Sequence, residues 1–334
     1  NEKPAITSTS TGITLPEGES WIATETPGVY EIGIGAAEVN GVVYGTFKAA
    51  VEARTSDDDV ITLLKNYSGT YKMAVGQKLV VDKNGFNFAT PKMAADAGAY
   101  CVITEREKVN DEYTDKYTYT TAAAKVEYTY TVNEVEKTEY KMNLDYTNMS
   151  GSGTYKLLDD VTANSRIAPG VFATDVTVDL NGHTLTIAAT DYGFVFGRDN
   201  TSSMSYEYAI VDTSTEKGGK VIGTANPHSA IYVYGDGSTV TIGEGVTIEG
   251  CVAVLGEIEV LNVNGTIDGK VDYAVATNGS ATKNAEININ DGAVLTSTEI
   301  TMYLPGTGTT TIGDATITGA TAIYQKSGVV NITT

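Results

Sequence analysis

Short stretches in which apolar residues alternate with Thr and Asn recur through the C-terminal third of the chain: VTIGEGVTIEG, LNVNGTIDG, ININDGAVLTS, TTIGDATITG and VNIT. Alternation of period two is the signature of a strand with one face buried. The first core residue of each, Ile242, Val263, Ile289, Ile312 and Ile332, follows the last at intervals of 21, 26, 23 and 20 residues. Such intervals suit the coils of a solenoid and are too short for independent domains. Val240/Ile242, Leu261/Val263, Ile287/Ile289 and Val330/Ile332 are therefore expected to share one interior. Thr241, Asn262, Asn288, Thr311 and Asn331 would stack outside it, at the strand spacing of about 4.8 Å. A second recurring strand lies between these units, in SAIYVYG, CVAVLG, YAVATNG, TMYLPG and AIYQKSG, so every coil carries at least two strands and a turn.

Upstream the pattern is looser. Val81-Asp82, Val178-Asp179 and Val211-Asp212 are read in one common strand register. Asp82-Lys83-Asn84-Gly85 and Asp179-Leu180-Asn181-Gly182 lie 97 residues apart, preceded by ITLLKN and YKLLDD, so one strand-turn-strand unit starts twice. VNGVVYGTFKAAVEA offers the one amphipathic helix, with Phe47, Ala50 and Val51 on a single side. A helix there would cover the open end of the coils that follow. KYTYTT, VEYTYTV and EYKMNLDY alternate so that Val126, Tyr128, Tyr130 and Val132 share a face, which predicts antiparallel hairpins. The expected organisation is an extended arm over 1–36 with Trp21 as its anchor, a capping helix and first coils over 37–104, a Tyr-rich antiparallel insert over 105–151, and a regular parallel β-helix over 152–334. The chain stops in mid-strand at Ile332-Thr333-Thr334, so either more coils or a partner is expected to cover that end.

Charge narrows the partners. With 22 Lys and Arg against 42 Asp and Glu the net charge is −20, which repels phosphate backbones and anionic lipid. Nucleic acid is not an expected partner. No apolar run reaches the roughly 18 residues of a membrane span, so membrane insertion is not expected either. Hydrophobic residues make up 41% of the chain and charged ones 19%, enough apolar material for a large core. Cys101 and Cys251 form no CxxC pair and are expected as buried thiols, a single long-range bridge being the alternative. The chain opens on Asn1, as after removal of a signal peptide, and export is the expectation.

The stretches VNGVVYGTFKAAVEA…DDDVITLLKN, VTVDLNGHTLTI and YLPGTGTTTIGDATITGATAIYQKSGVVNIT resemble the right-handed parallel β-helix of pectin-lyase-like proteins. More narrowly they resemble exported surface proteins of Gram-positive gut bacteria. The resemblance covers roughly 37–90 and 152–334, and VDKNGFNF departs from its DLNGHTL pattern. It implies an all-β fold, a right-handed parallel β-helix with a short N-terminal capping helix; the arm and the inserted Tyr-rich antiparallel segment lie outside the resemblance, the latter read from its own alternation. Activity does not follow, because that fold hosts lyases, glycosidases, adhesins and inert stalks alike.

The candidate chemistry is read residue by residue. Glycoside hydrolysis needs two carboxylates about 5 to 9.5 Å apart, and equivalent turns supply Glu249 and Asp268 one coil apart. A corner column of Glu244, Asn264, Asp291 and Asp314 could contact Ca²⁺; no other cofactor is expected. A lyase would need cationic groups, and from residue 152 onward the arginines are Arg166 and Arg198. His183 is read as a turn residue, because Phe86 holds its place in the first copy, and His228 has no evident partner. Leu304-Pro305-Gly306-Thr307-Gly308 spells a sortase-type signal but lacks the apolar stretch and basic tail that follow one, and it sits in a repeat strand. Asp57-Asp58-Asp59 reads as the turn after the helix. Tyr232, Tyr303 and Tyr324 recur outward on the second strand, with Ala253 and Ala276 between them, a broken column able to stack on sugar rings.

The expected function is a non-catalytic structural or adhesive module, secreted or at the cell surface, that binds glycan or a host surface protein. The competing expectation is a glycoside hydrolase or polysaccharide lyase using carboxylates on adjacent coils. The oligomeric state is not legible in the sequence.

Overall fold

The computed structural model describes residues 14–88, 93–96, 98–144, 149, 151–169, 175–189, 192–197, 206–223, 230–234 and 237–333. The chain is all-β, a parallel β-solenoid of about 12 turns with almost no helix. It divides into two compact units, Asn1–Ala123 and Ala124–Thr334.

In the first unit, Val60–Leu63 and Lys78–Asp82 pair in parallel, and Glu112–Ala123 adds to Lys78–Asp82 in the antiparallel sense. Glu112–Ala123 also forms a long hairpin with Tyr100–Val109. Within the described part of the expected arm, Ser20–Ala23 pairs antiparallel with Tyr30–Gly33 and parallel with Val42–Tyr44. The buried residue of Ser20–Ala23 is Ile22, 5% exposed, while the neighbouring Trp21 is half-buried. The helix spans Phe47–Glu52, and the Thr46 side chain caps it by accepting from the Ala49 amide at 3.1 Å. Its buried side is Phe47, Ala50 and Val51, in a core shared with Ile61, Leu63, Leu79 and Val81. The acidic turn after it is held by Asp59, whose carboxylate accepts from the amides of Thr55 and Ser56.

The second unit has three sheets, one per face of the coil. Face one runs through Gly153–Leu157, Asp175–Asp179, Tyr206–Val211, Ser238–Ile242, Val260–Val263, Ala285–Ile289, Gly308–Ile312 and Val329–Ile332, all parallel. The hairpin Val126–Val132 and Val135–Lys141 continues this sheet antiparallel from Gly153–Leu157. Face two is built of short strands such as Thr247–Glu249, Thr266–Asp268 and Val294–Thr296. Face three carries Phe194–Phe196, Ile231–Tyr234, Val252–Glu257, Val275–Lys283, Ile300–Leu304 and Thr321–Gln325. Each regular coil thus has three strands, one more than the repeat pattern defined.

The register read from alternation holds on face one. Thr241, Asn262, Asn288, Thr311 and Asn331 are paired in sequence across the sheet. Val240, Ile242, Leu261, Val263, Ile287 and Ile289 point inward and are at most 2% exposed. A one-residue slip would bring the polar column inside, so the apolar parity fixes the pairing. Outside, Asn288 Nδ2 donates to Asn262 Oδ1 at 3.0 Å and Asn290 Nδ2 to Asn264 Oδ1 at 2.8 Å, extending the ladder through side chains.

The two starts of the sequence pattern share one turn. Asp82 and Asp179 each accept from the amide two residues on, that of Asn84 at 2.9 Å and Asn181 at 3.0 Å. Asn84 and Asn181 both have positive φ, and their side chains donate to the preceding coil, to the carbonyls of Leu63 and Leu157. The amides of Phe86 and His183 then close the turns on Lys83 and Leu180. The Asp-x-Asn-Gly motif is therefore a device for satisfying backbone groups at a coil corner.

Two register readings need correction. Asp179 pairs with Val211, not with Asp212. Ile210 is the inward residue, fully buried, and Asp212 is drawn one place onward into the turn, where four amides need an acceptor. At the acidic corner Asn264 aligns with Asn290 and not with Asp291. The turn between Val263 and Thr266 is shorter than that between Ile289 and Val294, so Glu244 and Asp291 have no counterpart there. The antiparallel region also begins at Tyr100, and its two hairpins fall in different compact units.

Candidate functional site

Face three carries the most distinctive surface. Pairing places Tyr232 beside Ala253, Ala253 beside Ala276, Ala276 beside Tyr303 and Tyr303 beside Tyr324. Further rings, two at corners and one at a strand end, join them. Tyr192 lies 4.4 Å from Tyr232 and Tyr234 5.6 Å from it, centroid to centroid. Tyr273 stacks on Tyr303 at 4.9 Å, and Tyr303 on Tyr324 at 5.5 Å. The result is two tyrosine clusters on one flat face, parted by a floor of two alanines. Three strand spacings separate Tyr232 from Tyr303, about 14 Å.

The rings are held by their surroundings. Burial pushes the Tyr232 hydroxyl up to about 12, with Tyr192 adding to the effect, and burial, then Asp272, raises that of Tyr273. Both stay neutral and able to donate a hydrogen bond at ordinary pH. Beside Tyr303 is a depression of about 570 Å³ lined by Thr277, Asn278, Ser280, Pro305 and Lys326. Its rim comes from the long strand Val275–Lys283, where the register shifts between Val254 and Gly256 on the neighbouring strand and leaves extra residues outside the ladder. Polar groups therefore flank an aromatic platform.

Glu249 and Asp268 are brought together as the sequence suggested, directly paired on adjacent coils. Lysines come with them. Lys270 Nζ lies 2.7 Å from Asp268 Oδ2 and 3.2 Å from Glu249 Oε2, and Lys220 Nζ lies 3.3 Å from Glu249 Oε1. Burial alone would raise Glu249, but Lys270 and Lys220 outweigh it and hold the carboxyl below its usual range. Burial likewise opposes Lys270 at Asp268, which also ends low. A general acid in glycoside hydrolysis needs a raised carboxyl; this pair instead forms an ionic clamp across coils.

The corner acids are not gathered. Asp291 Oδ1 accepts from the Asp314 amide at 2.8 Å, and Glu244 is parted from Asp291 by the coil with the short turn. Among the described residues no group of three or more His, Cys, Asp or Glu could hold a metal ion. His183 Nδ1 is 3.7 Å from Asp160 Oδ1 at its turn. Arg166 is exposed, and Arg198 and His228 lie outside the described residues. Cys251 is buried, which pushes its thiol up, and Cys101 is half-buried in the other unit. Among the described residues no helix is long and apolar enough to cross a membrane.

The sortase-like pentapeptide is the corner from face three to face one, with Leu304 ending one strand and Gly308 opening the next. Gly308 has φ +137°, and a Cβ there would lie 2.0 Å from the Ala285 carbonyl oxygen. Close packing of two coils explains that glycine.

No protein-family description, curated protein or solved structure matches this chain. Three ring-bearing residues of the tyrosine face, Tyr192, Tyr234 and Tyr273, escaped the sequence reading because they lie at the strand ends and corners, where coil lengths vary. The doubled aromatic spacing in IYVY was the available signal.

Proposed function

We propose that the second unit is a non-catalytic structural and adhesive module, secreted or displayed at the cell surface, that binds glycan along its tyrosine face. The observation that carries this reading is the pair of tyrosine clusters flanking the Ala253–Ala276 floor. A rigid parallel ladder holds both clusters at fixed spacing, so a chain of sugar rings could meet both without ordering a flexible loop. In its finer form the reading is a right-handed β-helix of the pectin-lyase-like kind, used as a scaffold on an exported surface protein. A host glycoprotein presenting such a glycan is the natural partner class.

Glycan-array screening followed by calorimetry tests it. Binding without turnover is expected, and Tyr303→Ala combined with Tyr324→Ala should weaken it by about tenfold or more. Retained affinity in that double variant would contradict the assignment of the face. New reducing ends or unsaturated uronates, lost in Glu249→Gln, would instead make the protein an enzyme.

A further inference from the structure

Five Asn-Gly pairs occur along the chain, beginning at Asn40, Asn84, Asn181, Asn264 and Asn278. An asparagine followed by glycine is open to attack on its side-chain amide by the next backbone nitrogen, because glycine has no Cβ to hinder that approach. Whether the attack happens depends on whether the fold lets the two groups meet.

Four of the five are tied. Asn40, Asn84 and Asn181 sit at positive φ, and their Nδ2 atoms donate to Asp59 Oδ2 at 2.8 Å, the Leu63 carbonyl at 3.2 Å and the Leu157 carbonyl at 3.0 Å. Two of the attacking nitrogens are held as well, the Gly85 amide donating to Asp115 at 3.1 Å and the Gly182 amide to Asp212 at 2.9 Å. Asn264 donates through Nδ2 to the Ile242 carbonyl at 3.4 Å and accepts from Asn290 at 2.8 Å. The glycine after it is buried, and a Cβ there would lie 2.5 Å from the carbonyl oxygens of Gly243 and Val246.

Asn278 is the exception. It belongs to the long face-three strand, where Thr277 pairs with Val254 and Thr282 with Gly256, so residues 278–281 stand outside the ladder. Asn278, Gly279 and Ser280 are all exposed, the setting in which local opening costs least. Among the described residues nothing accepts from Asn278 Nδ2, and no side chain holds the Gly279 amide. Only the base of the segment is pinned, the Asn278 amide donating to Thr282 Oγ1 at 2.8 Å and Thr282 Oγ1 to the Val254 carbonyl at 2.7 Å. Ser280 completes the arrangement. Its amide and hydroxyl face Asn278 Oδ1 from 3.4 and 3.5 Å, where negative charge grows as Cγ becomes tetrahedral.

We propose that Asn278 is a site of spontaneous deamidation, singled out by the fold from five like sequences. The Gly279 nitrogen loses its proton to solvent and bonds to Asn278 Cγ. The Cγ–Nδ2 bond then breaks, Nδ2 takes a proton from water and leaves as ammonia, and a succinimide ring is closed. Water adds to one of the two ring carbonyls and reopens the ring as aspartate or isoaspartate. The sum is hydrolysis of one amide, with nothing oxidised or reduced. The depression beside Tyr303 changes with it: among its described lining residues Lys326 is the one charged group, and the new carboxylate places the opposite charge on the same rim.

The test incubates the full folded chain at neutral and at mildly alkaline pH and follows each Asn-Gly peptide by mass spectrometry. Asn278 should convert about tenfold or more faster than the other four, and faster at the higher pH, because the attacking nitrogen must lose its proton. In guanidinium chloride the five rates should draw together, since unfolding frees the other four. Gly279→Ala should slow conversion of Asn278 by about tenfold, and circular dichroism checks that this variant keeps its sheet content. Equal rates in the folded chain, faster conversion at any other of the five, an unchanged spread of rates in the unfolded chain, or no conversion of Asn278 would each overturn the proposal.

Discussion

Replacing Asp212 with alanine should cost the second unit about 3–5 kcal/mol at neutral pH. The carboxylate is 3% exposed and accepts from four amides, those of Gly182 at 2.9 Å, Ser214 at 3.0 Å, Gly218 at 2.8 Å and Gly219 at 2.7 Å. Removing it strands those donors at a corner joining two coils, where water reaches only part of them. Burial alone would raise the Asp212 carboxyl; the hydrogen bonds from Ser214, Gly219 and Gly218 outweigh it and hold the group well below its usual range. A depressed folded value means that the stabilisation is complete above the unfolded value of about 3.9 and is lost as pH falls through and below it. Urea unfolding of wild type and Asp212→Ala should therefore differ fully at neutral pH and converge in strong acid. A gap that stays constant down to strong acid would show that the carboxylate's charge is not what holds the turn.

Tyr155→Ala should be comparably severe, about 3–5 kcal/mol. Tyr155 is fully buried, ranks among the largest side chains of the core, stacks on Tyr128 and donates its hydroxyl to the Gly151 carbonyl at 2.9 Å. Tyr155→Phe keeps the ring and loses only the hydrogen bond, about 1 kcal/mol, so the pair of variants separates packing from polarity. A solenoid is coupled mainly to nearest neighbours. Hydrogen exchange should consequently rise in Val126–Val132 and Val135–Lys141 of Tyr155→Ala, while Ala285–Ile289, several coils away, stays protected. Uniform loss of protection along the unit would mean that it melts as one globule.

What could be read from sequence followed the strength of the local signal. On face one, strands such as Ser238–Ile242 and Ala285–Ile289 give three inward residues each, enough for parity to set the register of Thr241, Asn262, Asn288 and Thr311. Face two was missed as a separate layer because strands like Thr266–Asp268 contribute one inward residue, Ile267, and one residue has no period. Asp212 was placed one position early because Val211-Asp212 repeats the letters of Val178-Asp179, while the backbone obeys the burial of Ile210. Tyr232, Tyr303 and Tyr324 were legible from their strand positions; Tyr192 and Tyr273 at the corners were not, since their approach depends on turn lengths that differ from coil to coil. The lysines beside Glu249 and Asp268 were visible as residues, yet only the fold shows that Lys220 and Lys270 converge on the same carboxylate.

The stacking of coils is what every other statement about the second unit depends on, and distances along one outward column measure it directly. Spin labels at Thr177 paired in turn with labels at Ala209, Thr241, Asn262 and Asn288 should report backbone separations growing by about 4.8 Å per coil, to about 19 Å at the fourth step. An even staircase is the result this structure predicts. Separations that scatter, or that fail to increase with each successive coil, would contradict it.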